Sequence, residues 1–294
     1  MASRFVVVVL GLFLFCSSIS LHAGSIPTAR APRLYSAAVI VQDQRTGEFL
    51  LAKKAETAMP IASITKLMTA MVVLDAKLSM EEVITIEEAD KDLLRHSSSH
   101  LPVGTVLTRR EALLIALMAS ENRAAHALGR TYPGGVRALV SAMNESARSL
   151  GLNETRFDDP TGLSDGNVSS AQDLSRLVAA AFHYPEIRAF TTTAETTIPY
   201  RRRQLRFVNT NALVRNPRWQ IGLSKTGYIE EGGRCLVMQT LLAQRPILIV
   251  LLHSAGKYDR LADANRIKEW VEGPAPSHKS RKSKAGKSHR LHGV

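Results

Sequence analysis

The chain has 294 residues, 45% of them hydrophobic, and a formal net charge of +12. Its two cysteines are Cys16, in the leader predicted below, and Cys235, so no internal disulfide can form after export and the core must stabilise itself. The sequence contains no internal repeat, no Cys or His cluster at metal-ligand spacing and no glycine-rich phosphate loop, and we therefore predict that the protein uses no cofactor.

The N-terminal segment has the pattern of a secretory signal peptide. A positive charge at Arg4 precedes an apolar run over residues 5–15, and small residues follow as far as Ala23. The run is short for a bilayer span, which needs roughly twenty residues, and an uncleaved anchor is the alternative. We predict a signal peptide over residues 1–23 and export to the periplasm, where loose association with the membrane or the wall stays open.

The C-terminal residues 274–294 form a basic tail with almost no apolar side chains. This composition predicts disorder, and it leaves residues 24–273 as the folded domain, which is long enough to bury one large core or two closely packed lobes. Export argues against nucleic acid as a partner and favours anionic polymers or lipid head groups of the cell envelope. A solvated tail with no dedicated partner is the alternative. The cations of the tail are Lys279, Arg281, Lys282, Lys284, Lys287 and Arg290.

The first elements of the folded domain are predicted to be a β-hairpin and a helix. Two β-rich runs at residues 36–41 and 48–52 flank a polar loop that ends in glycine, which is typical of a hairpin. Farther along the chain, apolar side chains recur at helical spacing in a helix that Ser63 begins. Ser63 and Lys66 are three residues apart, so both side chains lie on one face of its first turn.

A buried helix is predicted to end at a short polar segment. Thr108 and Glu111 form a capping box, and the helix that they begin, over residues 112–119, is apolar nearly all round. The helix leads directly into the Ser-Glu-Asn segment at 120–122. Because polar groups at the end of a buried helix need partners or a cleft to face, this segment is a candidate site.

The rest of the domain is predicted to hold two more helices, several strands and a closing helix. The two helices lie at residues 136–150 and 174–182, and the closing helix at 261–271. The strands lie at 191–200, 205–211, 221–227, 235–242 and 247–253. The arginine run at 201–204 is interpreted as a solvated hairpin tip, with an anionic polymer as an alternative partner. This order predicts an α/β (α+β) fold in which helices flank an antiparallel sheet.

The Ser63–Lys66 pair indicates nucleophilic catalysis. A serine hydroxyl is a poor nucleophile until a neighbouring base takes its proton, and a lysine can do this when its pKa is lowered. Burial and a second nearby cation both lower the pKa of a lysine. Ser-x-x-Lys alone occurs by chance in many helices, so the pattern gains weight only from two later motifs. These are Ser120-Glu121-Asn122 and Lys225-Thr226-Gly227.

The three motifs, in this order, resemble those of penicillin-binding proteins and class A β-lactamases. Four longer segments are similar to the low-molecular-weight D-alanyl-D-alanine peptidases (serine D,D-peptidase family S11), and most of all to the endopeptidases of the penicillin-binding protein 7 type. The segments are PIASITKLMT (60–69), SENRAA (120–125), DPTGLS (159–164) and LSKTGY (223–228). The resemblance covers roughly residues 32–271 and implies a β-lactamase/D,D-peptidase-like fold with a mostly helical lobe.

The same resemblance implies the activity and the roles of the first two motifs. The enzyme would cleave D-alanyl–diaminopimelate cross-links of peptidoglycan, and β-lactam antibiotics would be its covalent inhibitors. Ser63 would attack the substrate carbonyl and form an acyl-enzyme, while Lys66 takes its proton. Ser120 would relay a proton to the leaving amine, and Asn122 would hold the substrate amide. No role is assigned to Glu121.

The third motif is expected to bind the substrate. Lys225 would supply positive charge to a substrate carboxylate and help to lower the pKa of the other lysine, and Thr226 would bind the same carboxylate. Gly227 would leave room for an extended substrate along the strand edge. The backbone N–H groups of Ser63 and Tyr228 would form the oxyanion hole.

Three other activities compete with the endopeptidase. Class A β-lactamases hydrolyse their acyl-enzyme with a Glu-x-x-Leu-Asn loop, and no glutamate between the second and third motifs begins that pattern, so good β-lactamase activity is not expected. D,D-carboxypeptidases of the family usually carry a further β-rich domain and a membrane anchor, which are not expected after residue 253, but carboxypeptidase activity stays open. A penicillin-sensing or wall-binding module with little turnover is the more distant alternative.

Overall fold

The computed structural model describes residues 30–273. The predicted signal peptide (1–23) and basic tail (274–294) lie outside the described residues and stay predictions. Between residues 30 and 273, no helix is both long enough and apolar enough to cross a membrane.

The domain is built on an antiparallel sheet. The strands of the described range are β1 (Ala38–Asp43), β2 (Phe49–Lys53), β3 (Met59–Pro60), β4 (Val83–Thr85), β5 (Val106–Thr108), β6 (Val168–Ser169), β7 (Glu195–Tyr200), β8 (Arg203–Val208), β9 (Ile221–Ile229), β10 (Gly233–Leu242) and β11 (Arg245–Ser254). Five of them form the central sheet in the order β2-β1-β11-β10-β9. The strand that carries Lys225-Thr226-Gly227, β9, pairs within this sheet only with β10 and is therefore an edge strand.

Side chains that alternate along the strands divide the core into two layers. The helices of the range are α1 (Lys66–Asp75), α2 (Arg109–Met118), α3 (Asn122–Arg130), α4 (Gly135–Ser149), α5 (Ala171–Ala181), α6 (Pro185–Thr192) and α7 (Asp259–Glu272). On one face of the sheet, Ile40, Val237 and Val250 belong to the same buried cluster as the apolar residues of α1 to α6. On the other face, Met238 and Ile249 pack with α7.

The predicted hairpin, capping box, closing strands and closing helix are all confirmed, with ends that shift by a few residues. Strands β1 and β2 are paired antiparallel around the glycine-ending loop. At the start of α2, the N–H of Glu111 donates to Oγ1 of Thr108 at 3.1 Å, and the N–H of Thr108 donates to Oε2 of Glu111 at 2.7 Å. The predicted fold class, an antiparallel sheet flanked by helices, is that of the structure.

Two helices were not predicted, and one strand was predicted too long. Thr191 lies in α6, so the strand predicted from residue 191 begins only at Glu195. The β-branched threonines favour a strand by local propensity. Burial of Ile187 and Thr191, four residues apart on one helix face, outweighs that preference. Helix α3 was missed because the Ser-Glu-Asn motif was interpreted only as the end of the preceding helix.

The arginine run forms the exposed turn between β7 and β8, as predicted. Arg201 and Arg202 make the turn, and both are exposed together with Arg203 at the start of β8. Arg201 has a φ of 53°, a left-handed conformation that non-glycine residues rarely adopt. The three guanidinium groups therefore face solvent at the end of a two-stranded ribbon.

Candidate active site

Ser63 lies in a single 3-10 turn, Ala62–Thr65, that joins β3 to α1. The regular helix begins at Lys66, three residues later than the prediction, so Ser63 is at its entrance and is only half-buried. Ala62, directly before it, has a φ of 49°. A non-glycine residue in this conformation costs free energy, and such strain is concentrated at functional sites.

Lys66 is buried and makes three hydrogen bonds through its Nζ atom. It donates to Oγ of Ser63 at 2.8 Å, to Oδ1 of Asn122 at 2.8 Å and to the carbonyl oxygen of Thr161 at 2.6 Å. Burial lowers the pKa of Lys66 to about 7, against the negative charges of Asp159 and Glu121, which raise it. A lysine with this pKa is part neutral at neutral pH, as a general base must be.

Asp159 holds the loop that presents the Thr161 carbonyl to Lys66. Its carboxylate accepts hydrogen bonds from the N–H groups of Thr161 at 2.5 Å, Gly162 at 2.8 Å and Ser164 at 2.8 Å. Burial opposes its ionisation, but a hydrogen bond from the hydroxyl of Thr161 together with these backbone bonds outweighs burial and holds the pKa of Asp159 below its usual range. Asp159 and Thr161 belong to the DPTGLS segment, which the sequence links to the family without indicating a role for either residue.

Lys225 reaches the same cleft from the edge strand β9. Its Nζ donates to Oγ of Ser120 at 2.8 Å and to the carbonyl oxygen of Thr226 at 2.9 Å. Ser120 has a φ of 60°, so its turn is strained like that before Ser63. Burial, followed by the positive charges of Lys66 and Arg260, lowers the pKa of Lys225 well below its usual value.

The charge assigned to Lys225 therefore depends on what occupies the cleft. Without a ligand, burial and two neighbouring cations all oppose protonation of Lys225. A substrate carboxylate beside Nζ would favour the ammonium form, since an opposite charge within a few ångströms raises the pKa of a lysine. That Lys225 is charged while substrate is bound stays a prediction.

The rest of the third motif continues β9 from buried Thr226 and Gly227 to exposed Tyr228. Oγ1 of Thr226 donates to Oγ1 of Thr210 at 2.6 Å. A Cβ atom on Gly227 would lie 3.1 Å from the N atom of Ser63, so a side chain there would crowd the nucleophile. Tyr228 is 55% exposed. Gly227 thus lets β9 pack closely against the turn that carries Ser63, while the oxyanion role of the Ser63 and Tyr228 N–H groups stays a prediction.

The family model of the D-alanyl-D-alanine carboxypeptidases, peptidase S11, matches residues 26–256. The chain belongs to this family of serine D,D-peptidases. It is therefore a serine-type hydrolase of the penicillin-binding D,D-peptidase group, as the three motifs predicted.

The curated relatives of this S11 peptidase are named for two activities. A D-alanyl-D-alanine endopeptidase of Pseudomonas aeruginosa is 46% identical over 267 residues, covering 89% of this chain and 86% of the relative. One of Escherichia coli is 42% identical over 247 residues, covering 83% and 80%. A D-alanyl-D-alanine carboxypeptidase of Streptomyces sp. K15 is 31% identical and covers 76% and 83%.

Solved structures confirm the fold of the S11 peptidase. The Streptomyces K15 DD-transpeptidase superposes with a TM-score of 0.77 at 28% identity, over 83% of this chain and 99% of that structure. A putative penicillin-binding protein homolog from Mycobacterium tuberculosis superposes with a TM-score of 0.75 at 25% identity. The predicted β-lactamase/D,D-peptidase-like fold is thus confirmed.

Glu121, which had no role in the sequence analysis, has a structural one in this S11 peptidase. It is the N-cap of α3, and its Oε1 accepts hydrogen bonds from the N–H of Arg123 at 3.2 Å and from Oγ of Ser99 at 2.7 Å. The neighbouring Asn122 donates through Nδ2 to Oγ of Ser97 at 3.0 Å. The second motif is therefore anchored to the loop at 97–101. An acidic residue just before a helix was the signal that could have revealed this cap.

Arg260 was also missed, because it comes from α7, far along the chain from the motifs. Its Nη1 donates to the carbonyl oxygens of Gly227 at 2.9 Å and Cys235 at 3.1 Å. Arg260 thereby fixes the backbone of β9 at the third motif and places a positive charge beside it. A lone arginine in a polar helix gives no sequence signal for such a contact.

Proposed function

We propose that this S11 peptidase is a D-alanyl-D-alanine endopeptidase that hydrolyses D-alanyl–diaminopimelate cross-links of peptidoglycan through a Ser63 acyl-enzyme. The observation that carries the mechanism is the 2.8 Å contact between Nζ of the buried Lys66 and Oγ of Ser63. The endopeptidase assignment is supported by the names of the relatives at 46% and 42% identity, whereas the carboxypeptidase of Streptomyces sp. K15 shares 31%.

Acylation begins from the neutral form of Lys66, in which the Ser63 hydroxyl donates to Nζ across the 2.8 Å contact, and Nζ takes this proton as Oγ attacks the D-alanyl carbonyl. The C–N bond of the cross-link then breaks, and the leaving amine needs a proton. Ser120 relays to this amine the proton that Lys66 took from Ser63, which leaves Lys66 neutral for the next step, and the hydroxyl of Ser120 is held 2.8 Å from Nζ of Lys225. Asn122 binds the amide of the donor peptide. Water then attacks the ester, Lys66 again serves as the base, and Ser63 is released with its proton restored.

Binding of the leaving residue is assigned to the edge strand. Its carboxylate lies between Nζ of Lys225 and the hydroxyl of Thr226, and Arg260 adds long-range attraction. The donor peptide runs along the edge strand β9 beside Gly227. The N–H groups of Ser63 and Tyr228 stabilise the tetrahedral oxyanion. β-Lactams use the same contacts, because they carry a carboxylate beside a reactive amide, and they leave a stable acyl group on Ser63.

Carboxypeptidase activity is the second candidate, and the description of the matched family favours it. The two reactions share the acyl-enzyme and differ only in the leaving amine, which is free D-alanine in one and the side-chain amine of a second stem in the other. Incubation with uncross-linked pentapeptide stems and with cross-linked dimers separates them. Separation of dimers into monomers supports the endopeptidase. Release of D-alanine from pentapeptide stems without cleavage of dimers would overturn it.

The basic segments of the chain are proposed to direct the protein to its compartment and to attach it to the cell envelope. The signal peptide over 1–23 directs the domain at 24–273 to the periplasm. The tail at 274–294 binds anionic envelope polymers and takes no part in the chemistry. The exposed guanidinium groups at 201–203 offer a further positive surface on the folded domain. The interaction is electrostatic, so it should weaken as salt increases.

A further inference from the structure

A cavity opens beside Lys66 on the side of Asn122. Its volume is about 340 Å³, within the range of small-molecule sites. Asn122 and Thr161, the two residues that hold Nζ of Lys66 together with Ser63, line this cavity. Lys225 does not line it. The cavity is therefore next to the reaction centre but separate from the proposed carboxylate site.

His126 lines the cavity one helical turn beyond Asn122, on the same face of α3. Its Nδ1 lies 2.8 Å from Oδ1 of Asp90, whose side chain is fully buried. Asp90 also accepts from Nε of Arg130 at 3.0 Å, from Nη2 of Arg130 at 2.9 Å and from the N–H of Glu87 at 2.8 Å. The imidazole is thus fixed by the carboxylate of Asp90, which is itself fixed by the hydrogen bonds from Arg130 and Glu87.

These contacts determine which ring nitrogen of His126 carries the proton. Burial opposes the ionisation of Asp90, but its hydrogen bonds from His126 and Arg130 outweigh burial and lower its pKa. An ionised carboxylate only accepts hydrogen bonds, so Nδ1 of His126 is the donor. In the neutral form of the ring the lone pair is on Nε2, whereas the contact with Asp90 is made by Nδ1. Because Nδ1 is turned to buried Asp90, Nε2 is the atom available to the cavity.

The cavity lining also carries negative charge. Asp92 lies there, and hydrogen bonds from Ser97 and from backbone N–H groups outweigh burial and lower its pKa, so it is ionised at neutral pH. Asp159 is a second ionised carboxylate of the lining. The cation of the lining, Lys91, forms an ion pair with Glu88 at 2.5 Å. The charged surroundings favour a cation over an anion as ligand.

The mouth of the cavity is apolar. Leu93 and Leu94 are 78% and 65% exposed, and the value for Leu93 is the highest among the large hydrophobic side chains of the described range. Leu163 also lines the cavity. Exposed leucines beside a cleft indicate a surface that a ligand covers. An alkyl chain is the group that these side chains would bind.

We propose that this cavity is a subsite for an aliphatic side chain ending in a primary ammonium group, carried by the peptide stem that acylates Ser63. The methylene groups lie against Leu93 and Leu94, and the ammonium donates to Nε2 of His126 near the charge of Asp92. A diamino acid with a free amine has this chemistry. The inference rests on the proposed function, because the stem is the acyl donor of that reaction, and it specifies which residue of the stem is recognised.

The test uses two synthetic donor peptides that are identical except for the side-chain amine, which is free in one and acetylated in the other. Calorimetry with the Ser63→Ala protein measures binding without turnover. Acetylation removes the charge and two N–H donors, and hydrogen bonds to charged groups contribute enough to predict about tenfold weaker binding. Product analysis with the intact enzyme measures cleavage of the same peptides separately.

Variants of the subsite are made in the Ser63→Ala protein. His126→Leu should reduce the preference for the free amine below about twofold, because the acceptor is lost. His126→Gln keeps an acceptor oxygen and should retain part of the preference for the free amine. The matched control is His183→Leu, at an exposed position between α5 and α6, which should keep the full preference. Asp92→Asn, which removes the charge, gives an independent measurement if His126→Leu fails to fold.

Equal affinity of the two peptides for the Ser63→Ala protein would overturn the subsite. An undiminished preference in folded His126→Leu, or in Asp92→Asn if that variant alone folds, would overturn it as well. A preference in binding with no cleavage of any D-alanyl bond by the intact enzyme would support the subsite and overturn the proposed function. The two failures are therefore distinguishable.

Discussion

Replacement of Lys66 by arginine separates its role as a base from its role as a cation. In the structure Nζ of Lys66 contacts Ser63, Asn122 and Thr161, and burial lowers its pKa to about 7. Arginine keeps the positive charge but cannot release a proton at any working pH. The Lys66→Arg variant should therefore bind penicillin without reacting with it at a useful rate.

The size of the loss follows from the protonation states. At pH 7 a group with a pKa of about 7 is roughly half neutral, whereas a guanidinium with a pKa above about 12 is neutral in about one molecule in 10⁵ or fewer. General-base catalysis contributes about 10²- to 10⁴-fold. We therefore expect acylation of Lys66→Arg to be slower by about 10²- to 10⁴-fold. The loss of rate is limited to this range because the acyl-enzyme can still form without this base.

Lys225→Arg is the matched control, since it makes the same chemical change in the same cleft. The proposed role of Lys225 needs only positive charge, so this variant should lose about 10- to 100-fold by displacing the contact with Ser120 and still react measurably. The assay is stopped-flow or labelled-penicillin acylation of both variants, with folding checked by circular dichroism. If Lys66→Arg acylates as fast as Lys225→Arg, Lys66 is not the base and the mechanism is wrong.

Four further predictions concern pH, two loop residues and the tail. Penicillin acylation should rise with pH through a midpoint near 7, because the reactive form of Lys66 is the neutral one; a rate that falls across that range would contradict the assignment. Asp159→Asn should slow acylation and lower the free energy of unfolding by about 1–3 kcal/mol, measured by urea denaturation, because the amide keeps only one of the two acceptor oxygens and places an NH2 group against the buried N–H donors of the other. Gly162→Ala should destabilise by about 3 kcal/mol or more, since φ is +82° and the new Cβ would lie 2.0 Å from the carbonyl oxygen of Ala62; near-wild-type stability would refute that geometry. Truncation after Gly273 should leave turnover of a small soluble substrate unchanged, while binding to isolated sacculi weakens and becomes less sensitive to salt.

The parts of the site that could be predicted are those formed by side chains within motifs. Ser63 and Lys66 are three residues apart at a helix entrance, so their contact follows from local geometry alone. That Lys225 lies on a strand follows from the pattern at residues 221–227, whereas the edge position of this strand, β9, is known only from the order of the folded sheet. Serine acylation then explains why the three motifs meet in one cleft, because the nucleophile, its base and the substrate-binding residues must act together.

The parts that could not be predicted depend on backbone atoms and on tertiary burial. The third partner of Lys66 is the carbonyl oxygen of Thr161, and a carbonyl carries no residue-specific signal. Arg260 reaches β9 from the last helix, a contact between segments that no local pattern connects. The lowered pKa of Lys225 arises from complete burial next to two cations, which only the folded arrangement determines. Tertiary burial also explains α6, because its threonines favour a strand by local propensity but lie in a helix whose Ile187 and Thr191 are buried.

The most direct test of the account is to identify the residue that a β-lactam acylates. Folded, signal-free protein is incubated with a labelled penicillin, digested and mapped by mass spectrometry. The account predicts one adduct, on the peptide that contains Ser63, and none in the Ser63→Ala variant. An adduct on a different residue, or no adduct on protein shown to be folded, would contradict the assignment of Ser63 as the nucleophile.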